Sequence, residues 1–343
     1  MIDAFKNPRR NAFYIAEIGM NHNGDPEMAR AMIRAAAGAG ADAVKFQTFV
    51  PEMMNSVHTS SLLETGREGK PDRSLIDFFS KFVFDRETYA ELKNYADGQG
   101  VVFFSSPFDF PSVELLESIG VPLYKIASSE VTNHGLISMI ARTGKPAIMS
   151  TGISKVEDVD SAVECFLKSG GKDLSILHCV SLYPAPPGAL NLRRIVSLRE
   201  RYGLAVGFSD HSRGLEAVSA AAILGARIFE KHFTVDRNHD CPDKDVSLAP
   251  DDFSGMIGAA ERAISMLGGG DISYGEAEHP VARAARRSLF AKKFIPRGKT
   301  IEADDLIALR PGVGIGPDRI MTVTGRQTVR DIREGDLIRP EDF

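Results

Sequence analysis

Eight short hydrophobic runs recur along the chain, and each is separated from the next by a longer segment with helical spacing. The runs are rich in β-branched and aromatic residues, as the strands of a parallel sheet buried on both faces would be. They are residues 13–18, 43–49, 101–105, 123–127, 147–150, 174–179, 205–208 and 227–233. Because roughly 250 residues is the usual size of a (β/α)8 barrel, we predict an α/β fold with a TIM barrel over residues 1–270.

The segments between the runs carry apolar residues at helical spacing, and glycines close several of them. Helices are predicted for residues 26–39, 86–99, 113–119, 156–168 and 250–267. The predicted C-terminal caps are Gly40, Gly100, Gly120, Gly144 and Gly225. An open doubly wound sheet is the alternative, although no GxGxxG follows the first run. Residues 51–84 are too long for a simple connection, so we expect a lid or contact arm there.

A second, smaller domain is predicted after the triplet Gly268-Gly269-Gly270. The pattern I-x-x-G-x-x-I-x-x-x-D-[LF] occurs twice, at residues 295–306 and 332–343. Such a repeated turn-plus-strand unit predicts a compact β-rich domain at residues 287–343, with residues 271–286 as a linker. A domain this small is marginal alone, so we expect it to dock on a barrel, its own or a neighbouring chain's.

Composition limits the classes of binding partner and the cellular compartment that we expect for this protein. The net charge of −5 argues against nucleic acid or an anionic membrane as the main partner. No apolar run is long enough to span a bilayer, and residues 1–13 lack the continuous apolar stretch of a secretory signal. The cysteines, Cys165, Cys179 and Cys241, are odd in number and show no CxxC spacing. We therefore expect reduced thiols in a cytoplasmic protein.

Polar residues end every one of the hydrophobic runs. Taken singly, each is more often a turn, a helix cap or a solvated charge than a functional group. In a barrel of this type, however, the C-terminal strand ends meet at one mouth, so together they predict a concave polar site. The residues at these ends include Glu17, Lys45, Gln47, Ser105, Ser106, Lys125, Ser128, Ser150, Thr151, His178, Ser181, Tyr183, Ser209, His211, Glu230 and His232.

Two kinds of chemistry share the predicted mouth. Lys45 and Lys125, flanked by hydroxyls, suit a phosphate or carboxylate group. His211 and His232 end neighbouring strands, and Glu17 ends the strand that closes the ring. That set suits a divalent transition metal with open coordination positions. Three further histidines stay open between structural and functional roles: His22, His178 and His239.

Ordered motifs extend over nearly the whole chain. They are IAEIGMNHNGD (15–25), AVKFQTF (43–49), FFSSPFD (103–109), YKIASSE (124–130), KPAIMSTGIS (145–154), LHCVSLYP (177–184), GFSDHSRG (207–214) and FEKHFTVDRNHDCPD (229–243). The set resembles the sialic acid synthase (N-acetylneuraminate synthase) family, the phosphoenolpyruvate-dependent synthases of nine-carbon 2-keto sugar acids. The tail, with SLFAKKFIPRGKTI and RPGVGI, resembles the antifreeze-like (SAF) domain that follows the barrel in that family.

The resemblance implies a reaction and a set of roles. Phosphoenolpyruvate would condense with an open-chain N-acetylated hexosamine, typically N-acetylmannosamine, with cleavage of a C–O bond, release of phosphate and formation of a nonulosonic acid. Manganese (Mn2+) or magnesium (Mg2+), held by His211 and His232, would activate the aldehyde, and Glu17 would be the acid/base. Implied phosphoenolpyruvate contacts are Lys45, Ser106, Lys125, Ser128, Ser181 and Ser209. Implied sugar contacts are Glu17, Gln47, Tyr183 and Asp243. Phe290 and Arg310 would reach a partner's barrel in a domain-swapped homodimer.

Two departures from the family pattern leave the acceptor sugar open. Residues 241–247 read CPDKDVS, where glycine commonly precedes the Pro-Asp pair, and Ser181 stands where an asparagine is frequent. A diacetamido-trideoxyhexose, giving legionaminic or pseudaminic acid, and a spore-coat polysaccharide precursor are alternatives. Two other functions also stay open: a metal-dependent aldolase or isomerase acting on sugar phosphates, and a non-catalytic carbohydrate- or ice-binding protein.

Overall fold

The computed structural model describes Pro8, residues 10–65 and residues 69–343. Residues 1–7 and 9, most of the segment in which no secretory signal is expected, lie outside the described residues, as do residues 66–68 of the predicted arm. The described part of the chain divides into two units at Leu267 and Gly268. Among the described residues, no helix is both long and apolar enough to cross a bilayer.

A closed barrel of parallel strands forms the first unit, which confirms the predicted fold. In the described residues its eight strands are hydrogen-bonded in chain order, and the last pairs with the first. They are β1 (Phe13–Gly19), β2 (Ala43–Thr48), β3 (Val102–Pro107), β4 (Tyr124–Ile126), β5 (Ala147–Ser150), β6 (Leu174–Cys179), β7 (Ala205–Asp210) and β8 (Ile228–His232).

Helices surround the barrel and bury their apolar faces against the outer side of the strands. They are α1 (Pro26–Ala39), α5 (Arg86–Gly98), α6 (Phe110–Ser118), α7 (His134–Arg142), α8 (Val156–Lys168), α9 (Arg194–Tyr202), α10 (Glu216–Ile223) and α11 (Pro250–Ser265). The predicted arm contains α2 (Pro51–Met54), α3 (Thr59–Thr65) and α4 (Ser74–Ser80). Gly40 has a φ of 91° and closes α1 through its backbone N–H, as expected of a left-handed cap.

The barrel interior fixes which residues can reach the mouth. One hydrophobic cluster fills it: Phe13, Ile15, Ala43, Phe104, Leu123, Ile148, Leu177 and Ile228. Because alternate residues of a strand point to the same side, the residues two and four positions further along also point inward. Those positions lie at the C-terminal ends of the strands.

The second unit is small and built on an internal repeat. Its strands β9 (Ser288–Ala291) and β10 (Leu306–Leu309) are antiparallel, which fits the predicted β-rich domain. Before them, residues 271–286 hold the helix α12 (His279–Ala285), so the predicted linker contains regular structure.

The two copies of the repeat in the second unit occupy equivalent environments. Ile295 and Ile332 exchange backbone hydrogen bonds of 2.9 Å in both directions. Asp305 and Asp342 are both fully buried, and each accepts a hydrogen bond from the backbone N–H three residues before it, at 2.9 and 2.8 Å. These matched contacts give the unit local pseudo-twofold symmetry.

Candidate functional site

A polar cavity of about 260 Å3 opens at the C-terminal ends of the barrel strands. We call it the mouth. The predicted site residues that line it are Glu17, Lys45, Gln47, Ser106, Lys125, Ser128, Ser181, Tyr183, Ser209, His211 and His232. Ser150 and Glu230, which the sequence placed among the polar strand-end residues, also line it, and so do Phe108, Ala127, Ser129, Ile153 and Cys179. Strand alternation therefore brings most of the predicted site together.

Two lysines and two carboxylates form the charged centre of the mouth. The side chain of Lys45 is 4% exposed, and its Nζ lies 2.7 Å from Glu17 Oε2. Glu230 stands between the lysines: its Oε1 is 3.6 Å from Lys125 Nζ and its Oε2 is 3.9 Å from Lys45 Nζ. Ser209 donates a hydrogen bond of 3.0 Å to Glu230 Oε1. The positive charge of the site is thus balanced by carboxylates within the mouth.

Sequence reasoning placed Glu230 at a strand end but gave it no role. A signal was present, because Glu230 lies midway between Ile228, which faces the barrel interior, and His232, which lines the mouth. Strand alternation alone therefore predicts an inward carboxylate at this position.

The two carboxylates have opposite pKa shifts. Burial raises the pKa of Glu17, and the lowering effect of Lys45 does not offset it. Burial also acts to raise the pKa of Glu230, but Lys125 and Lys45 outweigh it, and the pKa of that group is lowered. Glu230 is therefore held as the anion, while Glu17 is poised to carry a proton, the division of roles that paired catalytic carboxyls show.

Hydroxyl groups surround the lysines. Ser106 Oγ lies 3.3 Å from Lys45 Nζ, and Ser128 Oγ accepts a 2.9 Å hydrogen bond from the Gly152 N–H. Ser150 Oγ is buried and has no hydrogen-bond partner among the described residues. A side chain at Gly152 would lie 2.3 Å from Ser181 Oγ, so only glycine lets the backbone approach these hydroxyls. These hydroxyl groups can donate hydrogen bonds to an anion, and that of Ser150 has no competing partner among the described residues.

The imidazoles of His211 and His232 adjoin the charged centre. Their ring centroids are 5.4 Å apart, and both side chains are about 5% exposed. His211 Nδ1 lies 2.9 Å from the Val180 carbonyl oxygen; because a carbonyl only accepts, Nδ1 carries a proton, which leaves Nε2 as the ring nitrogen that a metal could bind. Burial lowers the pKa of His232, which favours the neutral form that binds metals.

The donor set fits a divalent cation with open positions. His232 Nδ1 is buried without a hydrogen bond in the described part of the chain, and it lies 3.3 Å from Asp243 Oδ2. No group of three or more His, Cys, Asp or Glu side chains in the described ranges converges as a closed metal cage would. A cation held by the two imidazoles alone would take its other ligands from oxygen atoms of substrate and water.

The loop after β8 is tied to the loop after β1. Asn21 is fully buried; its Oδ1 accepts from the Asp243 N–H at 3.0 Å, and its Nδ2 donates to the Phe233 carbonyl at 3.0 Å and to Ser247 Oγ at 2.9 Å. Asn23 Nδ2 donates to the Asp240 carbonyl at 2.7 Å. These bonds hold Asp243 beside His232.

The histidines left open by the sequence make hydrogen bonds to the backbone. His178 Nε2 lies 2.6 Å from the Leu190 carbonyl and His239 Nε2 lies 2.8 Å from the Asn21 carbonyl. His22 Nδ1 accepts from the Gly24 N–H at 3.0 Å, and burial lowers its pKa to about 4. None of the three lines the mouth in the described structure, so each has a structural explanation.

The two predicted residues of the tail belong to the second unit. Phe290 lies on β9 opposite Ile307 of β10, and Arg310 directly follows β10. Their predicted role concerns a partner chain and stays a prediction.

Comparisons with known proteins agree with the motifs. Residues 32–272 match the NeuB family and residues 286–343 match the SAF domain. The chain is 36% identical over 339 residues to a pseudaminic acid synthase of Campylobacter jejuni, covering 98% of each chain. It is 34% identical to an N,N'-diacetyllegionaminic acid synthase of the same species, covering 96% of this chain and 99% of the other. A solved N-acetylneuraminic acid (sialic acid) synthetase from Leptospira borgpetersenii, in complex with citrate, matches with a TM-score of 0.70 at 33% identity, covering 79% of this chain and 90% of the other.

Proposed function

We propose, since this chain belongs to the NeuB family, that it condenses phosphoenolpyruvate with the open-chain form of an N-acetylated hexosamine to give a nonulosonic acid and phosphate. The observation that carries the proposal is the placing of two kinds of group in one mouth. Buried lysines with hydroxyls stand next to two buried imidazoles. The first set suits the anionic substrate, and the second suits a cation at an aldehyde.

The lysine side of the mouth would hold phosphoenolpyruvate. Its phosphate and carboxylate need cations and hydroxyl donors, and Lys45 and Lys125 with their serines supply both. The free hydroxyl of Ser150 would gain a partner. Glu230, fixed between the lysines, would keep both ammonium groups in place before the substrate arrives. The two ammonium groups would thus already be in position, so that fewer side chains would have to become ordered when phosphoenolpyruvate binds.

The imidazole side would hold the acceptor sugar. Gln47 donates to Glu17 Oε1 at 3.3 Å, and the ring of Tyr183 stacks on His211 at 4.1 Å. With Asp243, these groups would form a polar wall for the hydroxyl and acetamido groups of the sugar. A divalent cation, Mn2+ or Mg2+, bound by the two imidazoles would supply Lewis-acid polarisation of the aldehyde oxygen.

The reaction forms one C–C bond and breaks one C–O bond. C3 of phosphoenolpyruvate attacks the aldehyde carbon, water adds at C2, and loss of the C2–O bond releases inorganic phosphate. Glu17, whose pKa is raised by burial, would donate a proton to the oxygen that develops negative charge and later accept one from water. Glu230, held as the anion by the lysines, would not carry that proton.

We place the chain in a domain-swapped homodimer in which Arg310 and Phe290 of one chain reach the mouth of the partner. The family membership supports this arrangement, and an arginine over the mouth would neutralise charge and exclude water. Light scattering of the intact chain should give the mass of a dimer. Arg310→Ala should lower turnover without changing that mass. A monomer with full turnover would overturn the arrangement.

The test of function is product formation from a panel of sugars. The purified chain is incubated with phosphoenolpyruvate, Mn2+ and N-acetylmannosamine or one of several 2,4-diacetamido-trideoxyhexoses, with phosphate release and product mass as readouts. We expect release that depends on both the sugar and the metal, and a chelator should abolish it. A folded protein that is inert with the whole panel would overturn the proposal. The preferred sugar identifies the acceptor.

A further inference from the structure

Three successive residue pairs face each other at the ends of β7 and β8. They are Ser209–Glu230, Asp210–Lys231 and His211–His232. The first and third pairs line the mouth. The middle pair does not, because alternate residues of a strand point to opposite sides of the barrel wall. An ion pair on the outer side is therefore framed by two pairs on the functional side.

The middle pair closes a small buried network. Lys231 Nζ lies 2.9 Å from Asp210 Oδ2, and both side chains are about 1% exposed. Lys231 also donates to the Ser212 carbonyl. Asp210 Oδ1 accepts from the Ser212 N–H at 2.8 Å and from its hydroxyl at 2.7 Å. The chain from Asp210 to Ser212 therefore turns around His211, and Lys231 holds both ends of that turn.

Stability alone does not explain an ion pair here. Removing two charges from water costs about as much as their attraction returns, and well-packed apolar residues of the same volume do as well or better. An apolar pair, however, would not make a directional contact that fixes one strand end relative to the other. The ion pair fixes the ends of the two strands against each other at the point where the next residues are His211 and His232.

We propose that this network, which we call the outer clasp (Asp210, Lys231 and Ser212), positions the two imidazoles so that they bind one divalent cation. The inference rests on the proposed function. Other contacts already fix the ring rotation of His211, through the Nδ1 bond to Val180, and its backbone, through the Ala185 N–H, which donates to the His211 carbonyl at 2.9 Å. The outer clasp sets the remaining variable, the distance from His211 to His232. Its members are positioning residues that do not touch substrate.

The test removes both charges and keeps the volume. In the double variant Asp210→Asn with Lys231→Met, the asparagine oxygen can still accept from the Ser212 N–H, and no unpaired charge is left buried. Mn2+ binding to the intact chain is measured by calorimetry. We expect affinity to fall by about 10- to 100-fold, the usual cost of losing the groups that orient metal ligands. The Mn2+ concentration for half-maximal turnover should rise by the same factor, with activity recovering as Mn2+ is added.

A stability control separates positioning from folding. Tyr14→Phe removes a 2.9 Å hydrogen bond to Glu261 at the N-terminal end of β1. It should lower the Tm without changing the affinity for Mn2+. If the double variant lowers the Tm but binds Mn2+ like the wild type, the outer clasp is only structural and the proposal is overturned. If the wild type itself binds no Mn2+, the metal role of His211 and His232 fails, and the outer clasp proposal fails with it.

Discussion

Replacing Glu230 by glutamine tests the electrostatic balance of the mouth. The carboxylate oxygens lie 3.6 Å from Lys125 Nζ and 3.9 Å from Lys45 Nζ, so each attraction is about 4 kcal/mol at an effective dielectric constant near 20. Breaking a buried charge network from one side costs about 3–5 kcal/mol. Because the mouth opens to solvent ions and glutamine can still accept from Ser209, we expect the lower end of that range, about 3 kcal/mol of unfolding free energy.

The same substitution should change the response to anions. Without Glu230, the two ammonium groups lack their shared counter-charge, and inorganic phosphate should bind at least about tenfold more tightly, a change of about 1.4 kcal/mol. A ligand at a hundred times its Kd stabilises the folded state by about 2.7 kcal/mol. Phosphate should therefore restore most of the stability that the substitution removes. The assay is thermal unfolding of wild type and variant in phosphate-free buffer and over a phosphate series.

The matched control is Glu261→Gln. Glu261 accepts hydrogen bonds from Asn11 and Tyr14 near the other end of β1, away from the residues of the mouth. This variant should lose stability but keep the wild-type response to phosphate. A Glu230→Gln protein with wild-type stability in phosphate-free buffer and unchanged phosphate affinity would show that Glu230 is not the counter-charge of the lysines, and the reasoning would fail.

Three further predictions address the metal, the proton and the loop. His211→Ala and His232→Ala should each abolish metal-dependent turnover with a native circular dichroism spectrum; full activity in either contradicts the metal assignment. Burial raises the pKa of Glu17, so the folded state binds that proton more tightly than the unfolded state. Wild-type stability should therefore fall as pH rises from the usual carboxyl range to the raised pKa, and Glu17→Gln should flatten the slope; parallel Tm curves would refute this. Asn21→Ala should cost about 1–3 kcal/mol and raise KM for the sugar more than for phosphoenolpyruvate, because Asn21 holds Asp243; equal changes would argue against that link.

The fold could be predicted because its signals are local. The hydrophobic runs and the helical spacing between them describe a parallel sheet with helices outside, and β8, predicted at residues 227–233, spans Ile228–His232. The second unit is predicted by the repeated sequence pattern, whose two copies pair at Ile295 and Ile332. The helix α12 in the predicted linker is short, and His279 and Pro280 at its start give little periodicity to detect.

The contents of the mouth could be predicted only in part. Strand alternation determines which residues point inward, and it places Glu230 at the mouth, but it does not show that Glu230 lies between the two lysines. Loop contacts are different, because Asn21 and Asp243 are distant in sequence and meet only when β1 and β8 pair. The same holds for His178 and His239, whose partners are backbone carbonyls of other segments. No spacing rule contains that information.

The assignment of the proton to Glu17 follows from counting charges around each carboxylate. Glu230 lies within 4 Å of both lysine ammonium groups and accepts from Ser209, so three interactions favour its anion. Glu17 has Lys45 at 2.7 Å and Gln47 at 3.3 Å, while the negative charge of Glu230 opposes its ionisation. The largest charge difference between the two buried carboxylates is Lys125, which is the leading charge that lowers the pKa of Glu230 and the weakest of the causes that act on Glu17. Replacing Lys125 by methionine would remove the leading charge that lowers the pKa of Glu230 and so bring the pKa values of the two carboxyls closer together, and the proposed acid/base step would have a less distinct donor.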